Sequence, residues 1–163
     1  MDKIIIKNTC NADSRTMKSN ATLDDVKIAT EEHIHDVQKG MKFFAEKLIE
    51  AGKNHDHTKL ENFEKEYGAL VMSRVMDDEF KANPWWSKHV FGERHHVNID
   101  FKADCNLIDI FEHICDDVMS GRGRAGHLTS AFMDIDPKLL YLAYWNTVRM
   151  LDNVVQVSNK PLK

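Results

Sequence analysis

The sequence predicts an all-α protein of about five to seven helices, preceded by a short N-terminal arm. Apolar residues recur at three- and four-residue spacing in several segments, which is the pattern of amphipathic helices. Residues that commonly begin or end helices flank these segments. Only 7 Gly and 3 Pro occur in 163 residues, so long irregular regions are not expected. We therefore expect residues 1–21 to form the arm and residues 22–163 to form one compact helical domain.

The first predicted helix is the longest. The arm before it contains Ile4–Ile6, which is either a short strand or an apolar anchor. Thr22 and Asp25 have the spacing of a capping box, and Gly52 is a suitable C-terminal cap. We expect the helix to end near residue 51. Its apolar stripe follows the helical spacing: Ile34, Val37, Met41, Phe44 and Leu48.

Further helices are expected along the rest of the chain. Two of them cover about residues 55–67 and 69–81, before Asn83-Pro84 interrupts the pattern. Residues 85–100 are predicted to form one short helix and a loop. Two amphipathic helices follow, separated by a basic, glycine-rich connector at residues 120–126, and a proline opens the second. Their apolar stripes are Leu107, Phe111, Ile114 and Val118 in one, and Leu140, Tyr144, Val148, Leu151 and Val155 in the other.

Composition restricts the class of protein. Apolar residues make up 42% and charged residues 29%, as in ordinary globular proteins. The formal net charge of -4 disfavours a surface that coats duplex nucleic acid. No apolar run is long enough to cross a membrane, and the N-terminal one is too short for a signal peptide. An odd number of cysteines without metal-type spacing indicates reduced thiols and a cytoplasmic location: Cys10, Cys105 and Cys115.

The 9 histidines are the most informative residue type, because several lie in close pairs. On the first predicted helix, His33 shares a side with Val37 and Phe44, whereas His35 shares one with Lys42. This periodicity predicts that His33 points inward. The ordinary alternative is a histidine at the edge of the core that bonds to a carbonyl or to water.

The adjacent pair His55-Asp56 is followed by Lys59. Adjacent side chains on a helix diverge by about 100°, and a metal ion between them is one of the few arrangements that uses both. Imidazole nitrogen and carboxylate oxygen both suit Zn, Mn or Fe. The Lys59 ammonium could then contact an anion such as phosphate. The alternative is an ordinary helix start, with the aspartate favoured by the helix dipole and the lysine solvated.

Two later segments offer further ligands. One contains three histidines within eight residues, beside aromatic residues: His89, His95 and His96. A surface loop that binds metal only adventitiously is the alternative. The other is the acidic face of a predicted helix, where Asp109 and Asp116 are seven residues apart and Glu112 lies between them. Such a face is more often solvated, and it reaches a metal only if the helix flanks a cavity.

The order of these residues resembles the HD-domain superfamily of metal-dependent phosphohydrolases, in particular a small-protein family of unknown function found in bacteria and their phages. His33-Ile34 resembles the His-Ile pair of its first helix, and residues 55–59 resemble its His-Asp-x-Ser/Thr-Lys motif. Residues 89–96 are similar to its His followed by a His-His pair. Residues 107–116 are similar to its Leu-Ile-Asp-x-x-Glu-x-x-Cys-Asp helix. The likeness covers about residues 25–125.

Two departures from the family pattern leave choices open. The His95-His96 pair is followed by Val-Asn instead of the usual Pro-Glu, so either histidine could be the ligand. Asp116 lacks the Trp that commonly follows it, so the last ligand is Asp116 or, as a second choice, Asp109. Residues 8–15 look like the leader of phage members.

The resemblance implies an HD-domain-like helical bundle that holds one or two divalent ions, drawn from Mn, Fe, Mg, Co or Zn. The implied ligands of one ion are His33, His55, Asp56 and Asp116. Asp56 would bridge to a second ion held by His89 and by His95 or His96. Two ions about 3.5–4 Å apart can clamp the oxygens of a phosphoryl displacement, with metal-activated hydroxide as the nucleophile. Asp56 and Lys59 are the predicted catalytic residues, and Lys59 would also neutralise phosphate oxygens.

Other side chains are candidates for substrate contacts. Guanidinium groups bind phosphate in a bidentate way, and three arginines qualify: Arg15, Arg122 and Arg124. For the last two, simple solvent exposure is the more ordinary interpretation. Trp86, with its neighbours Trp85 and Phe91, could stack on a base, although such aromatic residues more often lie in the core.

The predicted function is hydrolysis of a small nucleotide or a related phosphoester. Net negative charge and small size favour such a substrate over duplex nucleic acid, and no membrane partner is expected. The alternatives are a di-iron HD-type oxygenase, a non-catalytic protein that sequesters a nucleotide, and a helical structural protein with coincidental histidines. Metal dependence of turnover distinguishes the enzymes from one another, and metal content tests the structural alternative. The assembly state stays open, with a homo-oligomer among the possibilities.

Overall fold

The structure is a computed structural model that describes residues 3–9, 12–13, 15–97, 102–127 and 135–161, with only the backbone for residues 159–161. The chain is mostly helical, as predicted, and contains a small parallel two-stranded sheet in addition. In chain order the elements are β1 (Ile4–Asn8), α1 (Leu23–Asn54), α2 (His57–Leu60), α3 (Tyr67–Met72), α4 (Asp77–Ala82), α5 (Pro84–Gly92), α6 (Leu107–Ala125), α7 (Pro137–Asp152) and β2 (Val155–Pro161).

The chain forms two compact units. The first contains residues 1–46 and 148–163, and the second contains residues 47–147. The predicted boundary between an arm and a single domain at residue 21 stays a prediction, as does the HD-domain-like arrangement of the helices. Within the described part of the chain, every helix is too short or too polar to cross a membrane.

The sheet belongs to the first unit. Strand β1 pairs in parallel with β2, and Ile4 lies opposite Val155 while Ile6 lies opposite Val157. The segment that could be a strand or an anchor is therefore a strand. Val155 was expected on the last helix, but α7 ends at Asp152. A turn closed by the hydrogen bond from Val154 N to Leu151 O follows, and the β-branched residues after it suit a strand.

Helix α1 begins as predicted and ends later than predicted. Thr22 N donates to Asp25 Oδ2 at 2.8 Å, and Asp25 N donates to Thr22 Oγ1 at 3.2 Å, so the capping box is present. Gly52 lies inside the helix and does not cap it. Much of the expected apolar stripe is exposed, including Ile34 and Val37, so its periodicity does not identify the buried side of α1.

The predicted middle helices are shorter because non-glycine residues take up left-handed backbone conformations there. Asn62 has φ 49°, and the chain between α2 and α3 consists of turns. Arg74 has φ 53° and separates α3 from α4, which were expected to form one helix. Left-handed residues commonly end helices. Helix α5 begins as expected, because the Asn83 side chain accepts a hydrogen bond from Trp85 N at 2.9 Å.

Helix α6 is longer than expected and is held firmly in the second unit. It continues through the predicted connector and ends at Gly126, which has φ 72°. Its start is fixed by a capping box between Asn106 and Asp109. The Asp109 carboxylate also accepts two hydrogen bonds of 2.7 Å from Arg94. The helix packs on an apolar core formed by Val97, Cys105, Ile110, Leu139 and Ala143.

Candidate metal centre

The turn between α1 and α2 carries His55 and Asp56. Asp56 adopts a left-handed conformation with φ 56° and ψ 23°, which aspartate tolerates better than most residues. Because both residues lie in this turn, their side chains do not diverge as they would within a helix. His55 Nε2 lies 3.4 Å from Asp56 Oδ2, so the two potential ligands face each other.

Other segments of the second unit bring further ligands to this turn. Helix α5 contributes His89, the loop after it contributes His95 and His96, and α6 contributes Asp116. Two groups of potential ligand atoms result, and within each group all the atoms lie within 4.8 Å of one another. The groups are Asp56, His89, His95 and His96, and His55, His95 and Asp116. This half-buried to buried cluster could hold a metal ion.

Asp56 lies between the two sides of the cluster. Its Oδ1 atom is 3.5 Å from His89 Nε2 and 3.6 Å from His95 Nε2. Its Oδ2 atom faces His55 and is bonded to the Lys59 ammonium. Burial raises the pKa of Asp56, but Lys59, together with His55 and His89, more than offsets this and holds the pKa below its usual value. The carboxylate is therefore ionised and presents one oxygen to each side.

Glu112 fixes the orientation of two imidazole rings. Its Oε1 atom lies 3.0 Å from His55 Nδ1 and 3.1 Å from His95 Nδ1. Burial acts to raise the pKa of Glu112, but the contacts with His95 and His55 lower the pKa by more than burial raises it. The carboxylate is therefore ionised. An ionised carboxylate only accepts hydrogen bonds, so both rings donate from Nδ1. The Nε2 lone pairs of both rings then face the cluster, as in carboxylate–histidine–metal sites.

Thr58 fixes His89 in the same way. The Thr58 hydroxyl donates to Glu93 Oε1 at 2.6 Å, and its single proton is used in that bond. Thr58 Oγ1 must therefore accept the 2.7 Å hydrogen bond from His89 Nδ1. The remaining nitrogen of His89, Nε2, carries a lone pair and lies 2.8 Å from His96 Nε2. The second side of the cluster is thus also built from imidazole nitrogens.

The charge states of these histidines suit a metal site. Burial, with the nearby Lys59 ammonium, lowers the pKa of His89 to about 4. Burial, with the neighbouring imidazoles, lowers the pKa of His96 to about 3. Burial also acts to lower the pKa of His95, but Glu112, Asp56 and Asp116 together raise it. Neutral His89 and His96 are ready to bind a cation near pH 7, whereas a proton competes for His95.

The buried polar atoms provide a direct test of whether a cation fits. Among the described residues, Asp56 Oδ1 and His95 Nε2 are buried without a hydrogen-bond partner. They lie 3.6 Å apart. A buried acceptor left unpaired costs about 1–3 kcal/mol, and one cation between two such atoms would satisfy both. Imidazole nitrogen with carboxylate oxygen is a donor set for Zn, Mn or Fe, so the residues fit a divalent ion.

His33 is the predicted ligand that the structure does not bring to the cluster. It is exposed on α1, belongs to the first unit and is in neither ligand group. The periodicity selected His33 as inward, but Val37 on the same side is exposed as well.

The sequence left two choices of ligand open, between His95 and His96 and between Asp116 and Asp109. Both His95 and His96 lie in the cluster, and His95 belongs to both groups. Asp116 is a potential ligand, whereas Asp109 is buried against Arg94. The acidic face of α6 was expected to be solvated unless the helix flanks a cavity. Its members Glu112 and Asp116 face the cluster.

The predicted substrate-binding residues are dispersed. Lys59 lies at the cluster through its bond to Asp56. The half-buried Trp86 ring is centred 6.0 Å from the His89 ring and 6.2 Å from the His96 ring. Arg15 is exposed in the first unit. Among the other aromatic and arginine candidates, Trp85 is buried and its ring stacks on the His89 ring at 5.0 Å, whereas Phe91, Arg122 and Arg124 are exposed.

Three supporting residues were missed as site residues. Glu112 is four residues before Asp116 on α6, so the two share a face, and this spacing was a usable signal. Thr58 and Glu93 gave no comparable signal, since their contact joins α2 to the loop after α5. Partners that orient ligands are set by tertiary packing more than by spacing.

Comparison with known proteins assigns neither a family nor a function to this chain. No protein-family model, no curated protein and no solved structure matches the chain. The likeness to HD-domain proteins therefore rests only on the sequence motifs described above. The function proposed below is inferred from the geometry of the cluster.

Proposed function

We propose that this protein is a metal-dependent hydrolase that acts on a small nucleotide or a related phosphoester. The observation that carries the proposal is the position of Asp56. One carboxylate oxygen faces His55 and the other faces His89 and His95, while the Lys59 ammonium lies alongside. This arrangement suits one carboxylate shared by two cations, with a further positive charge for a phosphate group.

The chain's own residues have distinct roles in this proposal. A bound divalent ion would polarise a phosphoryl oxygen and acidify a water molecule. Asp56 and the imidazoles hold and orient the ions, and Glu112 keeps two of those imidazoles in the productive tautomer. Lys59 neutralises charge on the phosphate oxygens. The water oxygen bonds to phosphorus, the ester P–O bond breaks, and the water proton passes to the leaving oxygen.

A di-iron oxygenase is the second candidate, because the same mixture of imidazole and carboxylate ligands also suits iron. The two candidates differ in what they consume. The hydrolase needs only water and works without oxygen, whereas the oxygenase needs iron and O₂. Turnover under strictly anaerobic conditions therefore separates them.

The experiment begins with untagged protein purified without chelators and assayed for metal content. Nucleotides and simple phosphoesters are then screened for phosphate release with Mn²⁺, Mg²⁺, Co²⁺, Fe²⁺ or Zn²⁺. We expect release that depends on metal and is lost in Asp56→Asn. Asp78→Asn, which changes an exposed aspartate on α4, is the matched control and should behave as the wild type. Full phosphate release by Asp56→Asn would overturn the proposal, as would no release with any metal.

A further inference from the structure

A cavity of about 470 Å³ opens beside the metal-ligand cluster in the second unit. Its polar lining includes His55 and Asp116, which belong to the cluster, and Glu112, which orients two of its imidazole rings. The other side is an apolar wall built from the last turns of α1 and one face of α6. That wall includes Leu48, Ala51, Ile108, Phe111 and Met119. The volume is within the range of small-molecule sites.

The apolar wall and the ligands share one face of α6. Ile108, Phe111, Cys115 and Met119 follow the three- and four-residue spacing of neighbouring helix positions, and Asp116 lies on the same side. A molecule held at Asp116 therefore has α6 side chains of apolar character directly beside it. Phe111 is 51% and Met119 72% exposed. Large apolar side chains left open beside a polar cluster are typical of ligand sites.

We propose that this cavity binds the apolar part of the substrate, and that the preferred substrate is a phosphomonoester of an aliphatic alcohol. The inference rests on the proposed function, because the metal cluster would hold the phosphate end, and it narrows the substrate from a small nucleotide to a related phosphoester without a base. Among the described lining residues, apart from His55, Glu112, Asp116 and the Cys115 thiol, the wall offers no hydrogen-bonding side chain. A nucleotide base placed here would leave its ring nitrogens and carbonyls unpaired, whereas an alkyl chain has no such groups.

Binding is tested with a series of n-alkyl phosphonates, from methyl to octyl, which cannot be hydrolysed at the P–C bond. Affinity for the metal-loaded full-length protein is measured by calorimetry. We expect affinity to rise about fourfold for each added methylene until the cavity is full, which corresponds to ~0.8 kcal/mol for each buried methylene. Adenosine 5′-monophosphate, measured in the same way, should bind no more tightly than methyl phosphonate.

Two glycines provide a matched pair of variants. A Cβ at Gly52 or at Gly123 would meet no described heavy atom within 4 Å, and both residues lie in helices. Only Gly52 lines the cavity. Gly52→Leu should abolish the dependence on chain length, whereas Gly123→Leu should keep it. Similar thermal midpoints for the two variants would exclude a difference in folding as the cause.

The Cys115 thiol gives a second measurement that does not depend on turnover. Cys115 is exposed and lines the cavity, whereas Cys105 is buried and burial raises its pKa to about 11. In a Cys10→Ser background, iodoacetamide should therefore label Cys115 selectively. Octyl phosphonate should slow this labelling, and methyl phosphonate should not.

The outcomes separate this inference from the proposed function. A chain-length dependence that Gly52→Leu removes supports the cavity inference, even if no phosphoester is ever hydrolysed. Equal affinity across the series, or tighter binding of the nucleotide, overturns it, even if phosphate release from short esters is observed. Unchanged labelling of Cys115 at saturating octyl phosphonate would overturn it as well.

Discussion

Glu112 illustrates how a single residue can determine the chemistry of the cluster. One of its oxygens accepts hydrogen bonds from both His55 and His95. The negative charge also raises the pKa of His95 against the effect of burial. The same residue therefore aims two Nε2 atoms at the cluster and makes the His95 ring more basic, which favours a bond to a cation.

Glu112→Gln should weaken metal binding about 10- to 100-fold, because loss of the charged acceptor frees the tautomers and orientations of both rings. A competition titration against a chelating dye measures the dissociation constant. Glu64→Gln, at an exposed position of the second unit, is the control and should leave the constant unchanged. Equal affinity in Glu112→Gln and wild type would contradict this role.

The pKa values of His89 and His96 predict how the metal-free protein responds to acid. These pKa values lie at about 4 and about 3, whereas the pKa of a free histidine is 6.5. Between pH 6.5 and about pH 4 the unfolded chain binds more protons at these two histidines than the folded chain does. The stability that is present above pH 6.5 is therefore lost as the pH falls toward 4. The raised pKa of His95 acts in the opposite direction, but on one group instead of two.

Urea unfolding in the presence of a chelator, from pH 7.5 to pH 5, measures this effect above the range in which carboxylates titrate. We expect the unfolding midpoint to fall with pH, and to fall less in His96→Asn. An unchanged slope in that variant would show that the His96 environment is not as described.

At the scale of elements, the acidic residues of α6 have two different positions: one stabilises the start of the helix and another faces the metal-ligand cluster. Asp109 is buried near the start of the helix, where its carboxylate accepts a hydrogen bond from the backbone N–H of the N-cap residue Asn106 and forms an ion pair with Arg94. Asp116 lies two turns further along and faces His55 and His95. The same helix thus contributes one carboxylate to stability and another to the cluster.

Asp109→Asn should destabilise the protein by roughly 1–3 kcal/mol, because a buried charged pair loses its charge-assisted bonds, while bound metal is retained. Asp116→Asn should do the reverse, with little loss of stability and a weaker affinity for metal. Unfolding midpoints and metal content are measured on both variants. Loss of bound metal in Asp109→Asn but not in Asp116→Asn would show that Asp109, and not Asp116, is the ligand, and would contradict this division of roles.

The elements also show what could be predicted from sequence. Local signals worked where the physics is local, as at the capping box of Thr22 and Asp25 and at the proline that opens α7. Helix ends failed at Asn62 and Arg74, since left-handed conformations of such residues have no reliable sequence signal. The clustering of histidines pointed to the potential ligands at residues 55–56 and 89–96, whereas apolar periodicity placed His33 inward although that side of α1 is exposed.

At the scale of the whole molecule, the cluster and its cavity lie within one of the two units, residues 47–147. A cation that binds only the native state stabilises it, by about 2.7 kcal/mol when its concentration is 100 times the dissociation constant. The stabilisation acts on the segments that supply ligands. The sheet of β1 and β2 supplies none of the described ligands.

Hydrogen exchange of the full-length protein with and without Zn²⁺ tests this localisation. Amides in residues 54–60, 86–97 and 107–119 should exchange more slowly with the ion. Amides in β1 and β2 should be unaffected. Protection centred on the segment around His33 would contradict the described location of the site.

The most direct test of the central claim is a crystal structure of the chain soaked in Zn²⁺, with anomalous differences recorded at the zinc edge. We expect a peak within about 2.0–2.2 Å of an Asp56 oxygen and of the Nε2 atoms of His89 or His95. A second peak would lie between Asp56, His55 and Asp116. No peak at Asp56, or peaks only at exposed histidines such as His33, would contradict the account.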